Sequence, residues 1–217
     1  MTSDVQGERA KTTLATWLSR CNGHAFVARG PVPANISVSE SRDFLWAKTK
    51  LAFRHLYDTR LNEYDWFLKA DDDTYVIVEN LRFLLLSQSA EEAVYFGAKF
   101  KVIVKQGERY MSGGGGYVLS RAAVRALVEG GLSNAQACRQ DDRGAEDAEM
   151  GKCLEAAGVR AGDSRDGSGA SRFHYLNMED SVDLADGDPS YWAIANSWYT
   201  LLKVSLASQN AGCLMLQ

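Results

Sequence analysis

The sequence predicts an α/β fold, a mainly parallel central sheet flanked by helices, and three observations carry that prediction. Short apolar runs of strand length, residues 64–70 and 93–100, alternate with longer stretches of helical period. Glycines that stop helices, Gly130-Gly131 and Gly158, follow two of those stretches. The chain has 217 residues, 46% hydrophobic and 24% charged, enough for one domain with its own core and too apolar for disorder.

Residues 8–20 suit a helix with Leu14, Trp17 and Leu18 on one face, and 24–29 suit a short strand. Residues 41–57 form an amphipathic pattern in which Leu45, Ala52, Phe53 and Leu56 share a stripe. The strand at 64–70 runs into Asp71-Asp72-Asp73, and a helix over 75–86 follows with Val76, Leu81, Phe83, Leu84 and Leu85 on a broad apolar face. After the strand at 93–100, Gly113 to Gly116 lead into Tyr117-Val118-Leu119, and Ser120 suits the N-cap of a helix over 121–129. A helix over 146–157 ends at Gly158. Residues 163–190 are rich in Gly, Ser and Asp and read as an irregular loop; the segment from Trp192 onward has no clear period.

Composition excludes several classes. A net charge of −4 without a basic stripe argues against nucleic-acid binding. No apolar run is long enough to span a membrane. The four cysteines, Cys21, Cys138, Cys153 and Cys213, contain no C-x-x-C pair, which argues against structural zinc. Cys138 and Cys153 flank a charged segment and read equally as a bridge or as two thiols. The phosphate-loop, G-x-G-x-x-G and EF-hand spacings are all absent.

The chemistry gathers at four features. Asp71, Asp72 and Asp73 stand where a strand ends, the place where α/β sheets bind ligands, and carboxylates there suit a hard divalent cation carrying a diphosphate. Read alone, the triplet is equally an acidic turn on the surface. The glycines at 113–116 allow a sugar to lie against backbone, or simply turn the chain. Glu146-Asp147 in a first helical turn suits a general base, or a pair of dipole partners. His174 in Arg172-Phe173-His174-Tyr175 suits a manganese ligand, or a structural histidine.

Together these residues carry a family resemblance. Trp66-Phe67-Leu68-Lys69-Ala70-Asp71-Asp72-Asp73-Thr74-Tyr75-Val76 resembles the metal-site motif of the core 1 β1,3-galactosyltransferases. Tyr95-Phe96-Gly97, Val104-Lys105-Gln106-Gly107, Tyr110-Met111-Ser112-Gly113-Gly114, Glu146-Asp147, Gly151-Lys152-Cys153-Leu154 and Arg172-Phe173-His174 follow in the same order. The resemblance implies a GT-A type fold over residues 1–200, followed by a divergent tail at 201–217. It implies transfer of galactose from UDP-galactose, with inversion, to the 3-hydroxyl of N-acetylgalactosamine on Ser or Thr of a glycoprotein.

By the same resemblance Mn2+ is the cofactor, with Asp73 and His174 as ligands and Asp71 beside them. Asp71, Asp72 and Asp73 serve the donor nucleotide, and Asp147 is the base. Gly113, Gly114, Tyr117, Glu146 and Trp192 face the acceptor, and Cys138 pairs with Cys153. A Golgi membrane location through a type II anchor is implied, and a homodimer is left open. The chain shows no counterpart of that anchor or of the family's first strand, so it reads as an N-terminally incomplete or divergent member. Two rival readings remain: a non-catalytic homologue acting as a chaperone or glycan binder, and a fringe-like β1,3-N-acetylglucosaminyltransferase.

Overall fold

The computed structural model describes residues 1–2, 4–28, 41–100 and 110–176. The elements in chain order are α1 (Glu8–Thr16), α2 (Leu45–Arg60), β1 (Trp66–Lys69), α3 (Val78–Leu85), β2 (Val94–Phe100), β3 (Tyr110–Ser120), α4 (Arg121–Ala126), α5 (Glu146–Ala156) and β4 (Arg160–Ala161). They form a four-stranded sheet in the order β1-β3-β2-β4. One face packs against α2, α4 and α5 through Trp46, Phe53, Phe67, Tyr95, Tyr117, Leu119, Val124, Leu127, Met150 and Leu154. The opposite face, Val94, Phe96 and Val118, packs against Leu81, Leu84 and Leu85 of α3. Helices on both faces explain why all seven residues of β2 are buried.

The expected mainly parallel sheet is not what forms. β3 runs antiparallel to both β1 and β2, and only β2–β4 is parallel. The physical reason lies in the connections. Parallel neighbours need a crossover of a dozen or more residues, whereas the nine residues between β2 and β3 are too few. β1 and β2 do run the same way, joined through α3, but β3 lies between them.

The glycine run is also corrected. It is not a free turn but part of β3, with a local expansion. Gly97 of β2 pairs with Tyr117 while the next residue, Ala98, pairs with Ser112. Gly113 to Gly116 therefore stand outside the register with β2. They stand outside the register with β1 as well, which ends at Lys69 opposite Tyr117. Gly116 takes φ of +70°, a conformation that suits glycine.

Other boundaries follow local chemistry. The Ser120 hydroxyl accepts the Ala123 amide at 3.0 Å, capping α4. α5 ends before Gly158, whose φ is +75°. Cys138 and Cys153 form a disulfide that closes fifteen residues of separation and ties the loop before α5 to that helix. His24 to Ala28 form no strand; their described tie is the Val27 carbonyl accepting the Thr2 amide at 3.2 Å. Among the described residues no helix is long and apolar enough to cross a membrane.

Candidate active site

The strand alternation of β1 sets the site. Phe67 and Lys69 share its inward face. A lysine in core phase needs partners, because burying an unpaired ammonium is costly. Lys69 Nζ lies 2.9 Å from Asp71 Oδ1, 3.0 Å from its Oδ2, 3.7 Å from Glu146 Oε2 and 3.4 Å from the Gly113 carbonyl. Burial alone would lower its pKa, but the Glu146 and Asp71 carboxylates outweigh that and raise it, so Lys69 is a cation.

The three consecutive carboxylates divide. Asp71 turns inward to Lys69. Asp72 accepts the Thr2 hydroxyl at 2.8 Å and lies 3.6 Å from Arg9. Asp73 turns out, its side chain 65% exposed and only loosely paired with Arg9 at 3.8 Å. The turn that spreads them is held by Thr74. Its amide donates to the Asp71 carbonyl at 3.2 Å, its hydroxyl to the Gly114 carbonyl at 3.2 Å, and its carbonyl accepts the Trp17 indole at 3.0 Å.

Across from the triplet, the first turn of α5 carries two adjacent carboxylates with opposite fates. Glu146 is buried and accepts hydrogen bonds from the Tyr117 hydroxyl and, at 3.0 Å, from Thr49 Oγ1. Burial raises its pKa, with Lys69 and Tyr117 opposing. Asp147 is half-buried and lies over the glycine expansion, where its Oδ2 accepts the Gly113 amide at 3.0 Å. Its Oδ1 accepts the Ala148 amide at 2.9 Å, which leaves both oxygens with further lone pairs.

The glycines make this approach possible. A Cβ on Gly113 would sit 3.0 Å from Glu146 Oε2 and 3.6 Å from the Asp147 Cβ. A Cβ on Gly115 would come within 2.9 Å of the His174 carbonyl oxygen, which a side chain does not tolerate. The strand is therefore glycine-rich because α5 presses on one of its residues and the 172–175 segment on another. His174 lines a pocket with Thr74, Tyr75, Leu81, Gly115 and Phe173. Burial lowers its pKa, so the imidazole is neutral at pH 7, the form that ligates metal.

The expected site residues thus fall into groups. Asp71, Asp73, Asp147, Gly113, Gly114 and His174 gather around the C-terminal end of β1 and the β3 expansion. Tyr117 and Glu146 lie in the core. Both are buried and bonded to each other, because Tyr117 falls on the core side of β3. Trp192 lies outside the described residues. Among the described residues no three His, Cys, Asp or Glu side chains converge as a metal cluster. The donor set nevertheless fits a hard-to-borderline cation at two points: the solvent-facing Asp73 carboxylate and the neutral His174 imidazole, with Thr74 lining the same pocket as His174. Lys69, Thr74 and Thr49 were not anticipated. For Lys69 the signal was present, a lysine two residues from Phe67 in a strand of alternating burial.

The comparisons with known proteins place the chain in a family. A profile of the Fringe-like family matches residues 2–166. The chain is 41% identical over 182 residues to glycoprotein-N-acetylgalactosamine 3-beta-galactosyltransferase 1 of Xenopus laevis, covering 82% of this chain and 49% of that protein. It is 25% identical to chondroitin sulfate synthase 3 of Mus musculus (70% of this chain, 19% of that one) and 32% identical to the beta-1,3-glucosyltransferase of the same species (45% and 19%). The chain spans about half the length of the first of these relatives and less of the others. The matched region contains the sheet, the acidic end of β1 and the helix bearing Asp147, and the chain belongs to the Fringe-like family.

Proposed function

We propose that this chain is an inverting β1,3-galactosyltransferase domain that moves galactose from UDP-galactose to the 3-hydroxyl of N-acetylgalactosamine on a glycoprotein Ser or Thr. The observation that carries the reading is the seating of Asp147 on the Gly113 amide, beside the carbonyl that receives Lys69 from the acidic end of β1. A base and a donor-side carboxylate cluster then face one another across an expansion of bare backbone. The 41% identity to the Xenopus galactosyltransferase supports the choice of sugar and acceptor.

The chemistry is a single displacement. Asp147 takes the proton of the acceptor 3-hydroxyl as that oxygen attacks the anomeric carbon. The bond from this carbon to the diphosphate oxygen breaks, its electron pair leaves with UDP, and attack from the opposite face inverts the centre. Mn2+, held by Asp73 and His174, would neutralise the charge that develops on the departing diphosphate. Asp147 is oriented for its role by two amides, so little reorganisation accompanies proton transfer. The Cys138–Cys153 disulfide supports an oxidising secretory compartment and, with the similarity, a Golgi membrane location.

The test is galactose transfer from UDP-galactose to an N-acetylgalactosamine-bearing peptide, with UDP binding measured by calorimetry with and without manganese. Transfer by the parent and its loss in Asp147→Asn, with UDP binding kept, is the expected result. A folded parent that binds no UDP sinks the reading and favours a non-catalytic homologue. The similarity to a β-1,3-glucosyltransferase makes a second reading worth the same assay, with the chemistry unchanged and another UDP-sugar preferred.

A further inference from the structure

The buried cation at the end of β1 stands between two carboxylates, Asp71 and Glu146. Glu146 takes the Tyr117 and Thr49 hydroxyls on Oε1, which leaves its Oε2 facing Lys69. Lys69 lies 3.7 Å from that oxygen and closer to Asp71, gripping both of its oxygens at 2.9 and 3.0 Å. Its side chain is 7% exposed, and the Tyr117 ring stands 5.7 Å from the ammonium. A Cβ on Gly113 would lie 3.4 Å from Nζ, so the glycine leaves room for the lysine head.

This grip has a consequence for the triplet. Three like charges in consecutive residues repel, and their side chains would otherwise share one turn. With Asp71 tied inward by Lys69 and Asp72 tied to Thr2 and Arg9, Asp73 is the one left facing solvent. We propose that Lys69 is a positioning residue that sorts the acidic triplet, withdrawing Asp71 from direct metal ligation so that Asp73 presents its carboxylate to the metal-bound donor. The inference rests on the functional reading above. The resemblance already sets Asp71 beside the ligands; what is added is the part of Lys69 in holding it there.

The experiment is a double-variant cycle of Lys69→Met and Asp71→Asn in a Glu146→Gln background, which removes the buried anion that a lost lysine would strand. The readouts are UDP affinity with manganese, UDP affinity without it, and the thermal midpoint. Parent binding is read first; a parent that binds no UDP under either condition overturns the functional reading together with this one. With a binding parent, each single change should weaken manganese-dependent affinity by about tenfold, the effect expected of a residue that orients a metal ligand, and leave manganese-free affinity unchanged. The combined change should be no weaker than either alone. Additive losses, equal losses with and without manganese, or parent-level affinity in the Lys69 variant each overturn the proposal.

Should the Lys69 variants fail to fold, Asp71→Asn in the parent carries the test, since that side chain reaches the surface. Manganese-dependent binding that survives in weakened form supports a tied neighbour. Abolition as complete as in Asp73→Asn overturns it, because Asp71 would then be a ligand itself.

Discussion

Two acidic regions face each other in this protein, and they separate their charges by different means. At the end of β1 three consecutive aspartates lie in a turn, where Asp71 is fixed by Lys69, Asp72 by the Thr2 hydroxyl, and Asp73 turns to solvent. At the start of α5 two consecutive carboxylates lie on a helix, where successive side chains are about 100° apart. That rotation puts Glu146 into the core and Asp147 over the β3 expansion. Neighbouring residues of one chemistry thus receive different surroundings. In the turn the ties spread the side chains; on the helix the rotation spreads them and the ties hold each in place.

The sharpest way to break this comparison is at Asp147. Asp147→Asn should lower the transfer rate by about 100-fold or more, as expected for loss of a general base, with UDP affinity little changed. Steady-state rates with a glycopeptide acceptor, beside calorimetry with UDP, measure this. Equal loss in both would make Asp147 a donor-binding residue.

Next comes Asp73→Asn, which should abolish manganese-dependent UDP binding while the melting temperature stays put, because the side chain is exposed and loosely paired. Parent-like binding would remove Asp73 from the ligand set.

The adjacent pair on α5 gives the third contrast, this time in stability. Glu146→Ala strands Lys69 with one carboxylate and leaves the Tyr117 and Thr49 hydroxyls without their acceptor, and should cost about 3–5 kcal/mol in urea denaturation. Asp147→Ala should cost about 1 kcal/mol, the loss of one partly exposed hydrogen-bond pair. A reversed order would mean that the core network is not where the helix is anchored. A last contrast concerns the helix as a unit. Cys153→Ser opens the Cys138–Cys153 link and should lower stability by about 3 kcal/mol, with UDP affinity unchanged. Loss of UDP binding in that variant would show that the disulfide holds the donor site and not only α5.

How much of this was readable beforehand depends on the range of the interaction. α2, α3 and α5 and the strands β1 and β2 follow from local period and from caps such as Ser120 and Gly158, which act within a few residues. The glycine run left two readings open, a close approach and a turn, because the sequence does not show what approaches it. Here the reason for glycine is the approach of Glu146 and His174, residues 33 and 59 positions away from Gly113 and Gly115. The burial of Tyr117 was not legible for a related reason: the phase of β3 after an unpaired expansion is not countable from alternation.

The sequence by itself determined the α/β class, most element positions, the family resemblance and the residue types able to hold a cation or accept a proton. These rest on composition, period and contiguous motifs, all of which are local. Only the tertiary structure decided that β3 enters between β1 and β2, that Lys69 points inward to tie Asp71, and that Asp147 and not Glu146 is the carboxylate left accessible. Strand order and side-chain phase depend on which distant surfaces bury one another, and that is a property of the packed chain.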